Sequence, residues 1–222
     1  MPAEGPVRDR KAAGFHLIET MRWQPGTGFL RRSLHLSRLG GSAHALGFSL
    51  DMASIERALD AAVAGSGAPL RVRLGLDGDG RAAVATQPFT PLPDGTVWKL
   101  GIAATRLSSG NPILRHKTSL RDAYDAARAE FTPEEADEVL LRNEKGELCE
   151  GTISSLFVET GRGLLATPPL TSGLLAGVLR AELLAAGKAL ERVLHPRDLA
   201  AGGRIFVGNS LRGLIEARFP AD

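Results

Sequence analysis

Cysteine, aromatic residues and long apolar runs are all scarce in this sequence, and each scarcity excludes a class of protein. The single cysteine, Cys149, excludes an intrachain disulfide and any metal site built from several cysteines. Aromatic residues make up 5%, and basic residues exceed acidic ones by only two, which argues against a nucleic-acid-binding protein. Apolar runs such as 183–186 are too short to cross a membrane. Residues 1–11 lack the apolar stretch of a secretory signal, so we expect a cytoplasmic protein.

The remaining composition is that of a folded globular protein. Apolar residues make up 43% and charged residues 23%, which excludes wholesale disorder. A chain of 222 residues suffices for one large domain or two small ones. Arginine supplies 22 of the 27 basic residues, and we interpret it as replacing lysine on a solvated surface.

The hydrophobic pattern predicts an α/β (α+β) protein with two lobes. Residues 1–13 are polar and aperiodic, and we expect a mobile tail there. We predict a small N-terminal α/β lobe over 14–106, a linker over 107–114 and a larger lobe over 115–222. Predicted helices cover 35–46, 51–64, 119–130 and 173–186. Predicted strands cover 15–23, 29–34, 70–76, 81–87, 96–105, 138–142, 152–159, 163–166, 189–194 and 204–208.

Two residues stand out for their chemistry. Lys117 follows the predicted linker, and a lysine at such a junction can be desolvated, lose its charge and act as a nucleophile or base. The alternative is an ordinary surface charge. Glu150 precedes a run of small residues that would let a planar ligand approach the backbone closely. The alternative is a strand-edge carboxylate before a turn.

Three further segments could bind phosphate. Residues 171–180 read as a small-residue loop entering a helix, whose N-terminal amides can hold an anion; a plain helix start is the alternative. Arg38 is either a phosphate partner or a surface arginine. Asn209 and Ser210 follow the last predicted strand and form either a second phosphate-binding element or a simple turn.

In chain order these segments resemble the class IV aminotransferases, the fold-type-IV pyridoxal-phosphate enzymes. The resemblance runs from Phe15 to the C-terminus, and five blocks in the right order make coincidence implausible. It implies a two-lobed α/β fold with the cofactor in the cleft between the lobes. The blocks are Leu17-Ile-Glu-Thr20 with His35-x-x-Arg38-Leu39, Lys117, Glu150-Gly-x-x-Ser154-Ser155-x-Phe157, Gly173-Leu-Leu-x-Gly177 with Arg180, and Asn209-Ser-Leu-Arg-Gly213.

Within that family, three segments are similar to aminodeoxychorismate lyases: 15–23, 116–125 and 209–213. The chain also departs from its relatives. The usual first strand is missing or reduced to the polar tail. Ser155 stands where many relatives have Asn, and Leu179 where some have a threonine on the cofactor phosphate. Ile18 stands where the D-amino-acid enzymes carry an active-site tyrosine, which argues against that activity.

The resemblance implies a role for each matching residue. Lys117 would form the Schiff base with pyridoxal 5'-phosphate and then shuttle the proton. Glu150 would favour protonation of the cofactor's ring nitrogen. The remaining cofactor-binding residues, most of them expected at the phosphate, would be Arg38, Ser154, Gly177, Val178, Leu179, Asn209 and Ser210.

The resemblance allows more than one substrate. The lyase would convert 4-amino-4-deoxychorismate to 4-aminobenzoate and pyruvate in folate biosynthesis. Alternatives are a branched-chain or D-amino-acid transaminase and a non-catalytic binding protein. Arg115 and Arg212 are candidates for substrate carboxylates, and Thr20 for the floor of the site. His116 should point away from Lys117 and be structural. The resemblance also implies a homodimer and no metal.

Overall fold

The computed structural model describes residues 14–161, 163–199 and 203–220, so the predicted tail at 1–13 lies outside the described residues. The chain divides into two compact units. The first contains the described residues up to Thr90 together with His116–Leu120. The second contains Pro91–Arg115 and the described residues from Arg121 onward.

These bounds differ from the predicted lobes and linker. The Ser-Gly-Asn-Pro composition at 108–112 marks a turn and a 3-10 helix at Pro112–Arg115, both inside the second unit. The chain passes between the units after Thr90, and it returns briefly to the first unit at 116–120 because this segment pairs with the first strand.

The first unit contains an antiparallel sheet of four strands in the order β2-β1-β3-β4 and two helices. Asp51 caps α2, because its carboxylate accepts a hydrogen bond from the amide of Ser54 (3.1 Å). The predicted strands 70–76 and 81–87 are confirmed, and they pair as an antiparallel hairpin. The predicted strand 29–34 is wrong beyond Phe29, since Arg31 turns into the left-handed region (φ 57°) and α1 begins. The elements are β1 Leu17–Gln24, β2 Gly28–Phe29, α1 Arg32–Leu46, α2 Met52–Val63, β3 Leu70–Leu76 and β4 Ala82–Pro88.

The second unit contains a mixed sheet of eight strands in the order β10-β9-β8-β11-β12-β5-β6-β7. The elements are β5 Val97–Leu107, α3 Asp122–Ala129, β6 Glu138–Asn143, β7 Leu148–Gly151, β8 Ser155–Glu159, β9 Leu165–Thr167, α4 Val178–Ala185, β10 Ala189–Glu191, α5 Pro196–Leu199, β11 Ile205–Asn209 and β12 Gly213–Arg218. The predicted α/β class is confirmed. The predicted helix 173–186 is shorter, because Gly173 (φ 83°) and the extended Gly177 keep the preceding backbone out of the helix.

Helix α3 packs against the edge of the sheet that ends in β7. Tyr124 and Ala127 on α3 are buried against Val139, Leu141 and Cys149 of β6 and β7. Each buried leucine or valine of such a cluster stabilises the fold by about 1.5–3 kcal/mol. This packing holds the Tyr124 ring beside β7, the strand that carries Glu150. Within the described ranges, no helix is long and apolar enough to span a membrane.

Candidate active site

Lys117 lies on a short extended segment that pairs with β1. An antiparallel bridge joins Leu17 and Thr118, and the amide of Ile18 donates to the carbonyl of Lys117 (2.8 Å). Lys117 therefore stands opposite Ile18 in the register. Because side chains alternate along paired strands, Lys117 and Ile18 share one face of the sheet, and the buried Leu17 and Thr118 share the other.

The same alternation places two neighbours of the lysine. Nδ1 of His116 lies 2.9 Å from Oγ of Ser42 on α1, on the face opposite to that of Lys117, which is the orientation expected of a structural residue. Thr20 follows Ile18 by two positions and lies, half-buried, on the Lys117 face. Of the three predicted substrate-binding residues, Thr20 is the one that shares a sheet with Lys117.

The opposite face of β1 carries a buried charge cluster of Glu19, His35 and Arg38. Nε and Nη2 of Arg38 donate to the two Glu19 oxygens at 2.8 and 2.6 Å, and Nδ1 of His35 lies 2.6 Å from Oε2. Burial by itself raises the pKa of Glu19, but the positive charge of Arg38 and the hydrogen bonds from both partners outweigh it and hold the pKa below its ordinary value. Arg38 thus forms a fork with Glu19, and its contact with a phosphate stays a prediction.

The lowered pKa of Glu19 makes stability depend on pH. Its ordinary value of 4.5 applies to the unfolded chain, so the cluster stabilises the folded protein above that pH. This contribution is lost as the pH falls through the lower folded value. We expect the unfolding free energies of the wild type and Glu19→Gln to differ most at pH 7 and to converge in acid. Urea titrations across this pH range test it, with Glu56→Gln on exposed α2 as control. A difference that stays constant with pH would contradict the expectation.

Glu150 is a buried carboxylate, 4% exposed, on edge strand β7 of the second unit. Its Oε1 accepts hydrogen bonds from the hydroxyl of Tyr124 (2.7 Å) and from the amide of Leu175 (2.9 Å). Burial and the charge of Glu150 raise the pKa of Tyr124, so the phenol stays protonated and keeps donating. The carboxylate is therefore held in one orientation.

Tyr124, which donates a hydrogen bond to Glu150, was not predicted from the sequence as a site residue. It is the only tyrosine in the chain, and it lies 26 residues from Glu150 in sequence. Arg121 stacks over its ring at 5.1 Å and donates to the carbonyl of Thr152 (2.9 Å). The rarity of tyrosine was the one signal in the sequence, since the contact itself depends on how α3 packs.

Two glycines let the start of α4 approach the sheet. A Cβ on Gly177 would lie 2.5 Å from Oγ of Ser155, and a Cβ on Gly208 would lie 2.9 Å from the Leu179 side chain. Since neither position carries a side chain, the start of α4, the beginning of β8 and the end of β11 can lie this close together. The amides of Val178 and Leu179, in the first turn of α4, have no acceptor within the helix.

The turn at 209–213 completes this region. Oδ1 of Asn209 accepts from the amides of Leu211 (3.1 Å) and Arg212 (3.0 Å), and its Nδ2 donates to the carbonyl of Ile153 (3.1 Å). The Asn209 side chain therefore fixes the turn that presents the buried Ser210. The end of β11, which leads into Asn209 and Ser210, therefore lies against Leu179 at the start of α4.

Two of the predicted cofactor-binding residues, Ser154 and Gly177, use their hydrogen-bond donors within the protein. Oγ of Ser154 donates to Oε2 of the buried Glu138 (2.6 Å), so its single proton serves the turn between β7 and β8. The amide of Gly177 donates to the carbonyl of Leu175 (2.8 Å). Gly177 contributes close approach, and the amides of Val178 and Leu179 are the donors that the helix start offers.

The predicted substrate arginines both lie in the second unit. Arg115 ends the 3-10 helix and is exposed, and Arg212 is exposed with its guanidinium 5.9 Å from the centre of the Trp98 ring. Lys117 and Thr20 belong to the first unit. In the described part of the chain, no three His, Cys, Asp or Glu side chains form a cluster that could hold a metal ion.

Comparison with known proteins identifies the family. The family Amino-transferase class IV matches residues 16–218, nearly the whole chain. The protein therefore belongs to the class IV aminotransferases, a family of enzymes that depend on pyridoxal phosphate.

Individual relatives differ in the activity for which they are named. A "putative aminodeoxychorismate lyase" of Schizosaccharomyces pombe is 31% identical over 204 residues, which cover 89% of this chain and 86% of that protein. A "putative amino-acid aminotransferase" of Mesorhizobium loti is 53% identical with a TM-score of 0.91, over 93% of this chain and all of that one. The 4-amino-4-deoxychorismate lyase of Pseudomonas aeruginosa is 26% identical with a TM-score of 0.78, over 99% and 88%.

The residues of the second unit fit the family's cofactor. Pyridoxal phosphate has a ring nitrogen that needs an acidic partner and a phosphate that needs donors. Glu150 would supply the carboxylate, and it accepts a hydrogen bond from the amide of Leu175, three residues before Val178 begins α4. That length of chain spans at most about 10 Å, so a short, ordered segment sets the distance between the Glu150 carboxylate and the amides of Val178 and Leu179.

Proposed function

We propose that this protein is an aminodeoxychorismate lyase, which converts 4-amino-4-deoxychorismate to 4-aminobenzoate and pyruvate. One structural observation carries the proposal. Two segments with lyase-like sequence, 15–23 and 116–125, are far apart in the chain, yet Ile18 and Lys117 are paired directly. Two of the three lyase-like segments therefore meet at the lysine. The buried Ile18, rather than a tyrosine, stands beside it.

In this proposal Lys117 is the base and Glu150 sets the electronic state of the cofactor ring. Pyridoxal phosphate, when bound, delocalises the negative charge that develops as a proton leaves the substrate. The Glu150 carboxylate, held by Tyr124, favours a protonated ring nitrogen. Phosphate binding falls to the amides of Val178 and Leu179 and to groups expected from the family resemblance, the Ser210 hydroxyl and Arg38.

The proposed reaction balances with a single substrate. Nζ of Lys117 removes the proton from the ring carbon that bears the amine, the adjacent carbon–oxygen bond breaks, and the ring becomes aromatic. The proton returns to the departing enolpyruvyl group, which leaves as pyruvate. Neither an oxidant nor a second amino acid is needed, whereas a transaminase needs a keto acid as acceptor.

An amino-acid transaminase is the second candidate. The observation that favours it is the 53% identity to the Mesorhizobium loti protein, which is named as an amino-acid aminotransferase. In that case Lys117 would still be the base and Glu150 would still favour the protonated ring nitrogen, and only the residues that bind the substrate would act differently.

The deciding experiment supplies 4-amino-4-deoxychorismate, without any keto acid, to the enzyme that contains bound pyridoxal phosphate. We expect pyruvate and 4-aminobenzoate in equal amounts. If neither forms and the enzyme instead transfers an amino group to 2-oxoglutarate or pyruvate, the transaminase replaces the lyase. We also propose that the active form is a homodimer, which light scattering of the purified protein would test.

A further inference from the structure

The face of the first sheet that carries Lys117 also carries three arginines. β1 and β3 pair in a register that sets Thr20 opposite Arg73 and Arg22 opposite Arg71. These residues alternate with Met21 and Val72, which are buried on the other face. Arg22, Arg71 and Arg73 therefore share the face of Ile18 and Lys117.

No acidic residue of the sheet compensates these charges. Glu19 is the one carboxylate in the strands β1 to β4, and it lies on the opposite face, bonded to His35 and Arg38. The Lys117 face thus concentrates four basic side chains in a protein whose net charge is only +2. A uniform sign on one face favours an anionic ligand.

The local contacts of these arginines use only part of their hydrogen-bonding capacity. Like charges directly opposite each other across two strands, as in the Arg22–Arg71 pair, destabilise a sheet. Among the described residues, Nε of Arg22 and Nε of Arg71 are buried without a hydrogen-bond partner. The side chain of Arg73 is exposed and makes no hydrogen bond or ion pair within the described chain. The other contacts are a stacking of Arg22 on Phe89 and a long bond from Arg71 to Gln87 (3.4 Å).

We infer that Arg22, Arg71 and Arg73 form a carboxylate-binding surface for a substrate that carries two carboxylates. The inference rests on the proposed function and deepens it, since it replaces Arg115 and Arg212 as the principal carboxylate partners. Arg73 takes the carboxylate nearer to the reacting atoms, and the Arg22–Arg71 pair takes the farther one.

The register sets this order. Arg73 is two strands and one row of side chains away from Lys117, and Arg22 is one strand and two rows away. With strands about 4.8 Å apart and same-face residues about 6.8 Å apart, the Cα atoms lie about 12 and 14 Å from that of Lys117. Side chains stand roughly perpendicular to a sheet, so Lys117 and the arginines rise from one surface with spacings of this order.

The test uses benzene-1,3-dicarboxylate, a ring with two carboxylates and no amine, and benzoate as the matched monoanion. Calorimetry measures the binding of each compound to the enzyme with bound pyridoxal phosphate. The proteins compared are the wild type, Arg73→Gln, Arg73→Lys and the double variant Arg22→Gln/Arg71→Gln. We expect Arg73→Gln to weaken dicarboxylate binding about 10- to 100-fold, because a charge-assisted fork is lost. Benzoate binding should change less, and Arg73→Lys should restore part of the affinity. Arg57→Gln, on an exposed position of α2, is the control.

The outcomes separate this inference from the proposed function. Unchanged dicarboxylate binding in Arg73→Gln and in the double variant overturns the surface, even if the enzyme is a lyase. A loss of pyridoxal-phosphate affinity with unchanged dicarboxylate binding also overturns it, because the arginines would then serve the cofactor. Selective dicarboxylate binding that the variants abolish, in an enzyme without lyase products, supports the surface and overturns the lyase.

Discussion

Lys117→Ala should lower turnover about ten-thousandfold or more. The variant loses the base that moves the proton, a group that contributes up to about 10⁴-fold, and with it the covalent attachment of the cofactor. The surroundings should remain intact, because the segment is held by backbone pairing with β1 and by the buried Thr118. Steady-state turnover and thermal unfolding of the same preparation measure both effects.

The covalent role has a direct control. Borohydride added to the wild-type enzyme with pyridoxal phosphate should fix the label on the peptide that contains Lys117, as mass spectrometry would show. Lys188→Ala, at an exposed position after α4, should label and turn over normally. A label on Lys11, Lys99, Lys145 or Lys188 in the wild type would disprove the assignment.

Glu150→Gln should slow turnover about a hundredfold or more while the cofactor stays bound. The glutamine oxygen can still accept from Tyr124 and from the amide of Leu175, so the geometry is kept and only the charge is removed. Loss of that charge weakens the electron sink by a few kcal/mol, at about 1.4 kcal/mol per tenfold in rate. The measurement is kcat together with cofactor affinity.

Tyr124→Phe is the matched variant for this prediction. It removes one hydrogen bond from Glu150 and leaves the carboxylate charge in place, so its effect on turnover should be much smaller than that of Glu150→Gln. If Glu150→Gln turns over at the wild-type rate with cofactor bound, Glu150 does not tune the ring. If Tyr124→Phe matches Glu150→Gln, the orientation of the carboxylate matters more than its charge.

Local signals explain which elements were predictable. The spacing of Ile55, Leu59 and Val63 and the cap at Asp51 specify α2 without help from the rest of the chain. β7 was missed because all four of its residues are buried, which removes the alternation that marks a strand. β12 was missed as well, since its short sequence follows a turn that the pattern did not separate from the chain end.

The site residues also divide into those that the local sequence indicates and those that only the packing of the fold brings together. Lys117 and Glu150 stood out because their residue types and neighbours match a family pattern. The fork from Arg38 to Glu19 and the bond from Tyr124 to Glu150 join residues 19 and 26 positions apart, on elements whose packing no local pattern encodes. The arginine face was hidden for the same reason, since it becomes visible only in the register of β1 and β3.

The return of 116–120 to the first unit has a consequence for how the protein acquires activity. His16 donates from its amide to the hydroxyl of Ser119 across 103 residues of chain, so Lys117 reaches its place beside β1 only when a loop of that length closes. Closure of long loops costs entropy and slows folding. During synthesis, the strands of the first unit are complete long before their lysine is made. Catalytic competence therefore depends on one long-range closure, and a fragment that ends at Thr90 lacks the lysine altogether.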